Sequence, residues 1–411
     1  MNVYGIIILA ALAIGYLLEL AGDLLNLRAL RREPPEELGD LYDPEEYARS
    51  QAYNRARTRL GIVASTVDLA ALLVFWFAGG FQLLDAWLRG FGFGPVVTGV
   101  LFIGVLVVAK GLLDLPFGVY STFVVEERFG FNRTTPRTFV LDLAKGLLLS
   151  AALGAPIVAL VLFFFERAGD AAWLYCWLVT TAFTLFFLFV FPTWIMPLFN
   201  KFEPLEEGEL RDALFAYARS VDFGLGGIFV VDGSRRSSKA NAFFTGFGRN
   251  KRIALFDTLV EKHPVRELVA VLAHEVGHYK LGHVFKNLAV SIAHSGVLFF
   301  LLSIFLEHRG LYDAFFMERT SVYAGLVFFG LLYAPIELVL SLVLNLQLRR
   351  HEYQADRFAV ETTGEPEAMA SALRRIAADS LSNLTPHPFY VFLNASHPPV
   401  LQRLRAIRAA A

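Results

Sequence analysis

Apolar positions along this chain come in long unbroken runs, not in the narrow stripes of a soluble helix or strand. Seven runs, over about 3–25, 62–88, 95–120, 139–165, 171–199, 284–306 and 320–346, are long enough to cross a bilayer core as helices, which takes about 20 residues. Two regions break the pattern: a polar stretch at 200–283 and a polar tail at 347–411. The chain therefore divides into helices one to five with their loops (1–199), a polar domain (200–283), helices six and seven (284–346) and a tail (347–411). Within the polar domain, Leu210, Leu214 and Tyr217 share one side of a helix predicted over Glu206 to Phe223. The runs "GGIFVVDGS", "ANAFFTGFG" and "KRIALFDTLV" predict a small sheet of two or three strands. Pro264 then opens another helix, at a first-turn position where its missing N–H costs nothing.

Composition agrees with a membrane protein. Hydrophobic residues make up 55% of 411, with 39 Phe, more than one soluble core can bury. Lys and Arg total 37 against 38 Asp and Glu, so no general electrostatic case for nucleic acid exists. The apolar start lacks a basic region before it and a small-residue cleavage site, and Glu19 and Asp23 follow it; it reads as an uncleaved first span. Basic residues crowd the loops after odd-numbered spans, among them Arg28, Arg31, Arg32, Arg55, Arg57, Arg59, Arg128, Arg133 and Arg137, while Arg89, Arg167, Arg309 and Arg319 are the main ones on the other side. This bias predicts an outside N-terminus and a cytoplasmic polar domain. The lone Cys176 excludes a disulfide within the chain.

Several spans hold residues that lipid rejects: Asp68, Lys110, Asp114, Asp142, Lys145, Asn287, His294, Glu337 and Asn345. Each costs roughly 2.5–3.5 kcal/mol at the centre of a lipid-facing helix on insertion scales. Together they predict a hydrated interior, with snorkelling or mutual pairing as the plainer reading for any single residue.

The stretch "AHEVGHYKLGH", 273–283, places His274 and His278 one helical turn apart with Glu275 beside the first. Two such imidazoles can share one zinc ion, which with three protein ligands keeps an open position for water, and Glu275 is placed as general base. "RRHEYQADRFA", 349–359, supplies the third ligand. Glu352 is the candidate, with Asp356 one turn on to fix a ligand histidine's tautomer; His351 is the rival, about 100° off that face. His283 is read as facing away from the pair, a surface or packing residue, and His263 and His294 receive no role.

These blocks, with "SQAYNRARTRLG", "LPFGVYSTFVVEERFGFN", "PLFNKFEPL", "SSKANAFFTG" and "ASHPPVLQRLRAI", resemble the type I CAAX prenyl endopeptidases, integral-membrane zinc metalloproteases, over nearly the whole chain. The resemblance implies an all-α membrane protein, seven transmembrane helices forming a barrel around a water-filled chamber, with a small α+β protease domain on the cytoplasmic side. It implies one Zn²⁺ held by His274, His278 and Glu352, with Glu275 as base. Asn241 and Ala242 match an edge strand that holds extended substrate, His397 a histidine that stabilises the oxyanion, and Arg403 a residue that supplements it at the substrate. The implied partners are the bilayer and a peptide or protein substrate, prenylated or not. The Arg/Ala/Leu/Gly-rich sequence ending "RAIRAAA" reads as bacterial, which places the protein in a cell membrane; a eukaryotic host would place it in the ER. Two other readings compete: a quality-control protease like the shorter HtpX-type relatives, and a transporter or channel with a structural zinc site. An intact Glu275 disfavours the last, because structural zinc needs no base.

Overall fold

The computed structural model describes residues 1–30, 44–245 and 251–410; the expected basic residues Arg31 and Arg32 and the stretch 246–250 of the polar domain lie outside them. Among the described residues seven helices are long and apolar enough to cross a membrane: Val3–Ala29, Pro44–Phe77, Pro95–Glu126, Pro136–Arg167, Gly169–Phe199, His283–Phe305 and Val322–Thr363. All seven overlap the predicted runs, and two differ in extent.

The second span starts at Pro44 rather than 62, because the polar "YARSQAYNRARTRLG" continues the same helix and carries Tyr47, Ser50, Gln51 and Tyr53 into buried contacts. That extension leaves the apolar zone to brace the tail: Ser50 Oγ and Asn54 Nδ2 both donate to the Leu381 carbonyl, at 3.2 and 2.8 Å. At its other end the helix stops at Phe77, turns through Gly79, and resumes as a separate helix, Gly80–Arg89. The seventh span runs 42 residues without a break between 346 and 347. At 1.5 Å per residue it is about 60 Å long, twice the hydrocarbon core, so one rod serves both the membrane and the tail.

The spans do not pack solid. Only 6–17% of the residues in their apolar windows are buried inside the protein. A cavity of about 1470 Å³ lies among the first, second, third and seventh spans, and Tyr16, Asp68, Lys110 and Glu337 face it. The intramembrane polar residues also pair as the plainer reading expected. Lys110 Nζ lies 3.1 Å from Asp68 and also binds Asp114, and His294 Nε2 lies 3.1 Å from Tyr333 Oη and 3.4 Å from Glu337. Away from the polar domain, Trp76, Phe81, Phe102, Phe315, Tyr323 and Phe328 form a buried aromatic cluster, with Phe315 and Phe328 stacked at 3.9 Å.

Among the described residues the polar domain holds four strands where two or three are predicted: β1 (Phe202–Pro204), β2 (Leu225–Val231), β3 (Ala242–Thr245) and β4 (Lys251–Phe256). Their order is β1-β2-β4-β3, parallel only between β2 and β4, with β3 at an edge. β1 escaped the sequence reading because three residues are too few to show alternation. Around the sheet pack α1 (Glu209–Ser220), α2 (Val265–Lys280), α3 (Pro366–Asp379) and α4 (Val400–Ala410). Leu214, Ile253, Leu255, Leu268, Leu272, Val276, Ala359 and Leu404 share one core. Ala359 belongs to the seventh span, so the protease core and the membrane rod are a single packed unit.

Candidate functional site

The site forms where α2 crosses the seventh span. A Cβ on Gly277 would stand 3.2 Å from both Ala355 Cα and Phe358 Cδ1, so a larger residue would need the two helices to give by a few tenths of an ångström, and glycine lets them meet closely. The contact brings the first two candidate ligands, on α2, to the third.

His274 Nε2 and His278 Nε2 lie 3.1 Å apart, His278 Nε2 lies 3.3 Å from Glu352 Oε1, and His274 Nε2 lies 3.6 Å from Glu352 Oε2. Donors each about 2.0–2.1 Å from a tetrahedral ion are roughly 3.3–3.4 Å apart, so this set has the span of three corners of a tetrahedral metal site. The chemistry of the set, two imidazoles and one carboxylate, fits the same ion. Glu275, half-buried, follows the first ligand directly.

Charged partners stand behind the candidate ligands. Asp356 Oδ1 lies 2.9 Å from His274 Nδ1, off the line of a straight hydrogen bond. Arg403 donates from Nε and Nη2 to the two Asp356 oxygens, at 2.8 and 2.6 Å, and its Nη1 lies 3.1 Å from Glu352 Oε2. Burial works against the Arg403 charge, but the pairing with Asp356 more than offsets it, so its pKa sits above the usual arginine value. Expected at the substrate, Arg403 is instead 8% exposed and sits behind the ligands. The helix α4 that carries it packs onto the core, which turns the guanidinium inward.

His283 departs from the sequence reading more sharply. It is 1% exposed, its Nδ1 lies 3.1 Å from His278 Nδ1, and its Nε2 lies 2.9 Å from Gln354 Oε1. Extrapolating the α2 helix to residue 283 fails because α2 ends at Lys280 and Gly282, at φ +71°, redirects the chain. His351, the rival ligand, stacks flat on His283 with ring centroids 3.9 Å apart, outside the group of three. His263 pairs with Glu267 at 2.8 Å inside the core.

On the open side stands His397, its side chain 66% exposed, with Nε2 3.4 Å from Glu352 Oε1 and Nδ1 3.0 Å from Ser396 Oγ. Asn241 precedes β3 and Ala242 is its first residue. Among the described residues the outer edge of β3 pairs with no strand. Phe244 of β3 packs edge-on against Tyr279, the neighbour of His278, at 5.6 Å, which ties the strand to the helix of the candidate ligands. The segment leading into β3 is bolted to the membrane domain: Arg236 grips Asp142 at 2.7 and 3.0 Å, and Lys239 Nζ bonds Glu126 at 2.8 Å and Tyr53 Oη at 2.6 Å. Burial among these groups lowers the Lys239 pKa, with the Glu126 carboxylate opposing. The sequence reading passed over both anchors.

Known proteins carry the same plan. Residues 23–201 match the family described as CAAX prenyl protease N-terminal, five membrane helices, and residues 204–411 match Peptidase family M48. The chain is 36% identical to the CAAX prenyl protease 1 homolog of Arabidopsis thaliana, covering 95% of this chain and 94% of that protein. It is 35% identical to CAAX prenyl protease 1 of Saccharomyces cerevisiae over 91% and 88% of the two. The crystal structure of S. mikatae Ste24p superposes with a TM-score of 0.94, at 32% identity and 99% coverage of both chains. The barrel of seven spans around a chamber, the small sheet domain and the His-His-Glu group thus stand in one frame, and the chain belongs to the M48 family of membrane-embedded zinc metalloproteases.

Proposed function

We propose that this chain uses one Zn²⁺, held by His274, His278 and Glu352, to hydrolyse peptide bonds in extended segments presented at the chamber mouth. The observation that carries the reading is the 3.1–3.6 Å spacing of the three donors, with Glu275 next to the first ligand. When bound, the ion lowers the pKa of water at its open position to about 7 and polarises a carbonyl. Glu275, directly after His274, would take the proton of the attacking water and hand it to the leaving amine. His397, exposed beside Glu352, donates to the negative charge that develops on the scissile carbonyl oxygen. Asp356 and His283 hold the two ligand imidazoles in their tautomers.

An extended peptide adds to the free edge of β3 from Ala242, with Asn241 at its start, and main-chain hydrogen bonds then supply much of the affinity. The relatives' names speak for CAAX-type C-termini as the substrate. The positive-inside bias supports a cytoplasmic active site and an outside N-terminus.

The test pairs a variant with two peptides. Glu275→Gln should keep its metal and lose cleavage by about 10²–10⁴-fold, the usual contribution of general acid–base catalysis; retained turnover would defeat the mechanism. A farnesylated CAAX peptide should be cut faster than its unprenylated twin, and equal rates would remove the lipid from the specificity.

A further inference from the structure

A second built recess lies on the outer side of the two helices that flank the metal group. At the protease side the sixth and seventh spans part around a cavity of about 450 Å³ lined by Lys286, Arg350, Gln347 and Gln354, with Val343 and Leu346 below them. At about 100° per residue, Gln347, Arg350 and Gln354 lie on the helix face roughly opposite Gly330, Ala334, Glu337 and Ser341 of the large chamber, while Val343 continues the row of Val339 at the chamber's edge. The polar part of the recess therefore faces away from the chamber wall. Val343 and Leu346 are 55% and 45% exposed, so they form an open apolar floor beneath the polar side chains.

The upper part of the recess is cationic. No Asp or Glu lines it. Among the described residues, neither Lys286 nor Arg350 pairs with a carboxylate: Lys286 Nζ donates to the Leu281 carbonyl at 3.1 Å, and Arg350 is exposed. Gln354 already offers its Oε1 to His283, which leaves its NH₂ as the free end. The result is two uncompensated cations and amide donors above an apolar floor, at the level where the seventh span leaves its apolar stretch.

We propose that this recess binds the phosphate headgroup of an anionic phospholipid, with the acyl chains lying along Val343 and Leu346. Basic pockets between spanning helices at the membrane surface suit such headgroups because a phosphodiester anion neutralises the paired cations while its tails stay in the hydrocarbon. A zwitterionic lipid brings a cation of its own and gains less. A soluble phosphate leaves the apolar half empty. The lipid bridges Lys286 of the sixth span to Arg350 of the seventh, on the helices that carry His283 and Glu352.

The purified full chain, in nanodiscs of phosphatidylcholine with a minority of phosphatidylglycerol, tests this by native mass spectrometry of the retained lipid. The wild-type protein should hold phosphatidylglycerol in preference by about tenfold or more. Lys286→Ala with Arg350→Ala should abolish the preference, and Lys286→Arg with Arg350→Lys should keep it. The wild-type measurement alone decides if the alanine pair fails to fold. Equal retention of the two lipids by the wild type, an unchanged preference in the folded alanine pair, or displacement of the lipid by soluble glycerol phosphate would each overturn the proposal.

Discussion

Two parts of this molecule solve the same charge problem, one cation between two carboxylates, in opposite ways. In the chamber wall Lys110 stands between Asp68 and Asp114, with side-chain exposures of 52%, 32% and 49%. Beside the metal group Arg403 stands between Asp356 and Glu352, at 10%, 2% and 8%. The lysine is a point charge on a flexible stem, half-exposed like its partner Asp114, while Asp68 is about one-third exposed with one oxygen buried. The arginine is a planar fork whose donors fix the angle of both carboxylates. A wet wall needs only local neutrality, whereas a metal shell needs geometry, and burial converts one into the other.

Arg403→Met breaks the comparison most severely. It strands two buried carboxylates, so stability should fall by about 3–5 kcal/mol, read as a lowered thermal midpoint, and metal retention should fall with it. Asp356→Asn should weaken metal binding by about 10–100-fold, because the amide keeps the shape but loses the charge behind His274; competition with a graded chelator measures this. Gly277→Ala forces apart the helices that carry the two halves of the ligand set, and a loss of about 1–3 kcal/mol is expected, with reduced metal occupancy as the sign that the shell has opened. Lys110→Met should cost no more than about 1 kcal/mol, as for other solvated ion pairs. A thermal shift there as large as that of Arg403→Met would erase the distinction between the two clusters.

The spans were legible because a run of about 20 apolar residues has few other uses. His274, Glu275 and His278 were legible because one helical turn sets their spacing, and Glu352 with Asp356 for the same reason. What escaped depends on contacts between distant segments. The second span continues through polar residues from Pro44 because Tyr47 and Ser50 are buried by the tail, which no local pattern announces. His283 reaches His278 only because Gly282 turns the chain after α2 has ended. Arg403 lies one turn into α4, and nothing in "PPVLQRLRAI" tells which of its arginines turns inward. Lys239 and Arg236 read as loop charges until Glu126 and Asp142 arrive from other spans. One local signal does mark the extension: residues 45–60, between Pro44 and Gly61, contain neither Gly nor Pro.

Anomalous diffraction at the zinc absorption edge, from crystals of the full chain, tests the account at its centre. One peak is expected, about 2.0–2.1 Å from His274 Nε2, His278 Nε2 and a Glu352 oxygen, with Glu275 on its open side. A peak bonded to His283 or His351, or none at this crossing of α2 and the seventh span, would contradict it.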